Sequence, residues 1–148
     1  KEYRALVLGR LEGSGVIEQP IRVKPGFGIT REVVPPGEEG GKYCLTRWES
    51  LASSDDFSLV RVRIETGRTH QIRVHMAWLG HPLAGDTMYG EDTETLPRHA
   101  LHCAAMRFAH PETGQEIALT APLPEDMAAL LHGRGWDAEL DRWGGWQI

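Results

Sequence analysis

Three observations predict an α+β fold built on a largely antiparallel or mixed sheet with short helices. Strand-like segments outnumber helical ones, short turns join most of them, and no internal repeat, long linker or low-complexity tract divides the 148 residues. That length fits one domain with a real core. The hydrophobic fraction of 41% and charged fraction of 25% are those of folded globular proteins and exclude a disordered chain. No apolar run approaches the ~18 residues of a membrane span, and no signal-peptide pattern opens the sequence. A cytoplasmic protein without a membrane partner is therefore expected.

KEYRALVLG (1–9) is short, apolar and closed by glycine, as a strand buried on both faces would be. GSGVIEQPI (13–21) reads as a turn and a short strand that Pro20 ends or places at an edge. The stretch 24–42 holds three prolines and five glycines and is expected to be mostly loop. KYCLTRWESL (42–51) and FSLVRVRIET (57–66) both alternate, and the intervening SSDD makes them an antiparallel hairpin. In the second strand Val60, Val62 and Ile64 share one face, while Leu59, Arg61 and Arg63 share the other.

The period changes in THQIRVHMAWLG (69–80). Ile72, Met76 and Leu79 recur at helical spacing, with Thr69 placed to cap the helix and Gly80 to stop it. GHPLAGDTMYG is a tight, turn-rich connection in which Asp86 reads as a turn-capping residue. ALHCAAMRFAHP and EIALTAP form a further strand pair around PETGQ, and PEDMAALLHG is a short helix with Pro124 near its start. In the tail, Trp136, Leu140 and Trp143 fall on one helical stripe.

Cys44 and Cys103 form no CxxC pair and sit in apolar surroundings, so buried free thiols are expected. The net charge of −5 is unevenly placed. Residues 1–81 carry 12 Lys and Arg against 10 Asp and Glu, a net of +2; residues 82–148 carry 4 against 11, a net of −7. A locally basic face in the first part remains open to an acidic partner.

The segment ETGRTHQIRVH (65–75) gathers two arginines, two histidines, two threonines and a glutamine among apolar residues. On a helix, His70 and Arg73 lie on neighbouring positions beside the Ile72/Met76/Leu79 stripe. Arg73 is thus held at the core boundary, where a guanidinium needs a carboxylate or phosphate, because an unpaired buried charge costs several kcal/mol. Arg68 and His70, at the helix start, suit an anion such as a phosphate. The competing reading is structural: a capped helix whose Arg73 pairs with a carboxylate of some strand. His70 and His75 are five apart and miss the i, i+4 spacing of a metal-binding helix, and His99 and His102 on a strand would face opposite ways, so no metal is expected. No GxSxG, P-loop or GxGxxG occurs. Asp55–Asp56 reads as a solvated turn pair, and Tyr3 taken alone as a core aromatic.

GRTHQIRVHMAWLGHPLAGDTMYG (67–90) resembles the signature of the RluA-like family of RNA pseudouridine synthases. KEYRALVLG is similar to the family's Lys-x-Tyr-x-Ala-x-Val strand, GVIEQPI to its Gly-x-Ile-x-x-Pro-Ile segment, and GKYCLTRWESL to its next strand. HALHCAAMRFAHPETGQ and APLPEDM resemble its closing strands and helix. The resemblance covers residues 1–131, which it assigns to the C-terminal portion of the catalytic domain; the tail 132–148 has no counterpart.

The resemblance implies isomerisation of uridine to pseudouridine in ribosomal or transfer RNA, on a base flipped out of its stack, without cofactor, metal or bound nucleotide. It implies that Arg73 ion-pairs with a nucleophilic aspartate and that Tyr3 stacks on the uracil. It also implies that Arg68, His70 and Gln71 contact RNA or orient the pocket. One departure bears on activity. The family's aspartate lies in an Arg-Leu-Asp-x-x-Thr-Ser-Gly loop ahead of the Lys-x-Tyr strand, and none of Asp55, Asp56, Asp86, Asp92, Asp126, Asp137 or Asp141 has that context. The expectation is a fragment that is inactive alone, with Arg73 a counter-ion lacking its ion, and with a sheet edge or face that drives self-association. The alternative is a non-catalytic RNA-binding or structural module on the same scaffold.

Overall fold

In a computed structural model that describes residues 1–141 (side chains to residue 139), six strands form one antiparallel sheet. The elements run β1 (Glu2–Leu8), β2 (Ser14–Ile17), β3 (Ile21–Val23), β4 (Arg31–Val33), β5 (Thr46–Ser53), β6 (Phe57–Ile64), α1 (Gln71–Trp78), β7 (Leu101–Ala109), β8 (Glu116–Thr120) and α2 (Glu125–His132). A 3-10 helix, Asp137–Asp141, follows. The strand order is β2-β5-β6-β1-β7-β8, and β3 and β4 make a separate two-stranded ribbon.

The alternation of β1 and β6 sorts the core into two layers. Ala5, Val7, Val60 and Val62 point towards α1 and pack with Ile72, Met76 and Leu83. Leu6 and Leu59 point the other way, onto Leu51, Met127 and Leu131, so that α2 covers that face. Each aliphatic side chain so buried contributes roughly 1.5–3 kcal/mol. The faces predicted for residues 59–64 are those observed. At the far end of the α2 face the same alternation buries charge. Glu2 accepts from Arg4 at 2.7 Å and from Arg63 at 2.9 Å, and Glu49 pairs with Arg61.

The stretch 24–42 is mostly loop as expected, but it also holds the short strand β4, which pairs with β3 in the register Ile21↔Val33, Val23↔Arg31. The pairing partner lies outside the Gly/Pro-rich stretch, so local composition hides it. One expectation is corrected here. Of the free cysteines only Cys44 is buried; Cys103 is half-buried. Trp136 packs against the α2 layer, whereas Trp143 and the side chain of Leu140 lie outside the described residues. Among the described residues no helix is long and apolar enough to cross a membrane.

Candidate active site

Helix α1 presents its apolar stripe to the sheet as expected, with Ile72 and Met76 buried and Leu79 against the same cluster, and it is followed by Gly80 at φ +92°. Its start differs from the expectation. Thr69 does not cap it: His70 occupies the N-cap, left-handed at φ 58°, with no side-chain cap. Order at this end comes from Gln71 instead. Its Oε1 accepts from Thr66 Oγ1 at 2.7 Å and from the Arg68 amide at 3.1 Å, while Nε2 donates to Leu45 O and Thr46 Oγ1, both at 3.0 Å. All four hydrogen-bonding capacities of this buried amide are thus spent on protein. Direct contact between the Gln71 amide and RNA would require breaking one of these bonds.

His75 is fully buried in the same joint. Its Nε2 lies 2.9 Å from Gln19 O, which only accepts, so the proton is on Nε2 and Nδ1 accepts from Thr46 Oγ1 at 2.7 Å. Burial pushes its pKa below the ordinary histidine value, the bond to Gln19 O opposing the shift.

The loop after α1 carries the partner that Arg73 requires. Arg73 Nε donates to Asp86 Oδ2 and Nη2 to Asp86 Oδ1, each at 2.8 Å. Arg73 is therefore not a counter-ion without its ion, and Asp86 is more than a turn cap, although Oδ1 also accepts the amides of Met88 at 3.1 Å and Tyr89 at 3.2 Å. The loop is strapped to β1 by Leu8 N–H to Pro82 O and Ala84 N–H to Leu6 O, both 2.9 Å. Gly85, at φ +73°, passes so close to Arg98 that an added Cβ would lie 2.1 Å from its carbonyl oxygen. The Asp86 side chain has no exposed surface and that of Arg73 is 12% exposed. Burial alone would raise the carboxyl's pKa; the Arg73 bonds and the two amides outweigh it and hold the group below the usual carboxylate value. The Asp86 bond in turn raises the Arg73 pKa.

Tyr89 completes the cluster. Its ring lies under the Arg73 guanidinium, 5.1 Å from ring centroid to Cζ, and edge-on to His70. Its hydroxyl is 2.7 Å from His70 Nδ1 and accepts the Arg31 amide at 2.9 Å. Burial, then the Arg73 and Arg31 charges, lower the His70 pKa, and burial and Arg73 likewise lower that of His99. Tyr3 lies on the same side of the sheet, against the Ile72/Met76 layer, with its hydroxyl beside Cys103; burial and that thiol raise its pKa. Arg68 is exposed, its Nε held by Tyr43 O at 3.1 Å. Among the described residues no group of three or more His, Cys, Asp or Glu is arranged to hold a metal.

The family model of RNA pseudouridylate synthase matches residues 1–78. The chain belongs to that family, in its RluA-like branch. Among its relatives is the uncharacterized RNA pseudouridine synthase YjbO of Bacillus subtilis, 42% identical, with the match covering 90% of this chain and 46% of the relative. Ribosomal large subunit pseudouridine synthase D of Vibrio cholerae is 38% identical, over 96% of this chain and 47% of the relative. The chain thus spans about half the length of the curated relatives it matches. The solved structure of human RNA pseudouridylate synthase domain containing 1 superposes with a TM-score of 0.71 at 28% identity, over all of this chain and 61% of the human one.

Of the residues predicted for the site, the fold joins His70 and Arg73 at Tyr89, places Tyr3 on the same side of the sheet, leaves Arg68 exposed and withdraws Gln71 into the scaffold. Residue-by-residue reading missed Asp86 as the Arg73 partner, missed Tyr89 and Arg31 altogether, and weighed His99 only as a metal ligand. The signal for two of them lay in AGDTMYG, where an aspartate three residues ahead of a tyrosine suits an Asx turn that faces both side chains to one helix.

Proposed function

We propose that this chain is the C-terminal catalytic-domain segment of an enzyme that isomerises uridine to pseudouridine in ribosomal or transfer RNA. The carrying observation is the state of Arg73. Asp86 takes Nε and one Nη2 proton, while Nη1 makes no hydrogen bond among the described residues. A guanidinium clamped along one edge and open along the other is suited to hold a second carboxylate. In this reading that carboxylate is the nucleophilic aspartate of an Arg-Leu-Asp loop outside this chain's 148 residues. Arg73 keeps it ionised and aimed, and Asp86 keeps Arg73 in place.

The reaction breaks the bond from the ribose C1′ to N1, turns the base and forms a bond from C1′ to C5. The C5 proton is lost and N1 regains one, so no cofactor is consumed. Tyr3 stacks on the flipped uracil, and Arg68 and His70 meet RNA oxygens at the mouth of the site; that the name of the Vibrio relative specifies ribosomal RNA supports this substrate class. Residues 1–131 form the catalytic segment and 132–148 a tail.

The test is tritium release from 5-tritiated uridine in RNA. No turnover is expected from this chain alone. A longer polypeptide supplying the Arg-Leu-Asp loop is expected to turn over, and to lose that activity when Arg73 is replaced. Turnover by the isolated chain refutes the external nucleophile. A non-catalytic RNA-binding module is favoured by one observation, that Arg73 is already neutralised by Asp86; RNA binding without turnover in the longer polypeptide would select it.

A further inference from the structure

We infer that Tyr89 is a positioning residue that makes His70 a neutral hydrogen-bond donor, and that it ties this donor to the β3–β4 ribbon. The inference deepens the function proposed above and rests on it for the identity of the acceptor, an oxygen of the RNA.

The argument is a count of protons. A tyrosine hydroxyl has one hydrogen to donate and two lone pairs to accept with. The amide of Arg31, on β4, can only donate, so it occupies one lone pair of the Tyr89 oxygen at 2.9 Å. The 2.7 Å contact between that oxygen and His70 Nδ1 then has two solutions. If Nδ1 carried the proton, the hydroxyl would accept twice and its own hydrogen would lack an acceptor among the described residues. If Nδ1 is bare, the hydroxyl donates to it and every group is satisfied. The second solution puts the imidazole proton on Nε2. That nitrogen has no protein partner among the described residues, and it is not among their sealed, unsatisfied polar atoms. It is an N–H left over for something outside the protein.

Three further features fit. Burial, Arg73 and Arg31 lower the His70 pKa, which keeps the ring uncharged at neutral pH, and burial raises that of Tyr89, which keeps the hydroxyl proton in place. His70 is the one non-glycine residue with positive φ among the described residues, a conformation that persists only where surroundings impose it. The Tyr89 ring also packs on the layer of Ile21, Cys44 and Val74, so the hydroxyl is not free to swing away. The ribbon and the donor thus share one atom: a β3–β4 ribbon displaced from the site releases the Arg31 amide and frees the hydroxyl to rotate off Nδ1.

The test uses the 148-residue chain labelled with nitrogen-15. Long-range proton–nitrogen spectra are expected to show His70 with Nε2 protonated and Nδ1 bare at neutral pH. An Nδ1–H tautomer in the unmodified chain overturns the inference without recourse to any variant. In Tyr89→Phe, which keeps the ring and its packing, the tautomers are expected to mix, and exchange of the Arg31 amide to quicken about five- to tenfold, as loss of one hydrogen bond allows. An unchanged tautomer in that variant also overturns it. In the longer polypeptide, Tyr89→Phe is expected to lower kcat/KM about tenfold, and an undiminished value removes the positioning role. If the unmodified longer polypeptide is inactive, the function proposed above fails, and the tautomer spectra still decide what Tyr89 does to His70.

Discussion

Arg73 and Asp86, thirteen residues apart, meet through two parallel 2.8 Å hydrogen bonds with the carboxylate wholly withdrawn from solvent. Such a pair is weak evidence for net stability, because both ions were taken out of water to make it. It is strong evidence for sensitivity to the loss of either partner alone.

Arg73→Ala is therefore expected to lower unfolding free energy by about 3 kcal/mol or more, since it strands a buried carboxylate. Pairing it with Asp86→Ala should recover part of that loss, and denaturant titration of the three variants gives the coupling. An Arg73→Ala chain as stable as the parent would show that Asp86 is sufficiently served by the Met88 and Tyr89 amides.

Catalysis is better tested with Arg73→Lys in the longer polypeptide. Lysine keeps a charge near Asp86 but has no planar fork to hold two carboxylates at once. A fall in kcat of about a hundredfold or more, with the fold retained, is expected from tritium-release rates. Near-normal kcat would mean that charge alone suffices and the two-edged geometry is incidental.

Acid should destabilise the chain well before its carboxylates titrate. His75 has a folded pKa below its unfolded value of about 6.5, so its contribution is complete above that pH. As pH falls through about 6.5 the unfolded chain takes up a proton that the folded one refuses, and stability drops by at most about 1.4 kcal/mol per pH unit for each such histidine. His70 and His99 are shifted the same way and add to the slope. Unfolding curves from pH 8 to 5 check this, and His75→Gln should flatten them by one histidine's share. Flat stability across that range contradicts the buried neutral assignment.

Gly85→Ala is expected to cost more than about 2 kcal/mol, because the residue needs both a positive φ and the space that the Arg98 carbonyl fills. The damage should reach Asp86 next to it. Thermal unfolding of this variant beside Gly67→Ala, where no atom lies within 4 Å of the added Cβ, separates the local clash from a general glycine effect.

Arg68, exposed beside Tyr43, should act through charge alone. Arg68→Ala is expected to weaken RNA binding and to reduce the slope of log affinity against log salt by about 0.7–0.9, the share of one phosphate contact. Filter binding at several salt concentrations measures it, and an unaltered slope takes Arg68 out of the interface.

Much of this molecule was legible in the chain because the controlling forces act over a few residues. Alternation in FSLVRVRI assigned Val60 and Val62 to one layer and Leu59 to the other, and the helical spacing of Ile72 and Met76 seated α1 on the first. The same local reasoning placed Arg73 at the edge of a core and so required an anion for it. Which anion was a matter of tertiary closure. Asp86 reaches Arg73 only because Ala84 is hydrogen-bonded to Leu6 and Gly85 fits under Arg98, contacts between segments far apart in sequence. The left-handed turn at His70, the sealing of Gln71 and the meeting of Arg31 with Tyr89 have the same origin. Each satisfies a polar group through a partner brought by the fold, and no periodicity along the chain records where such a partner will arrive.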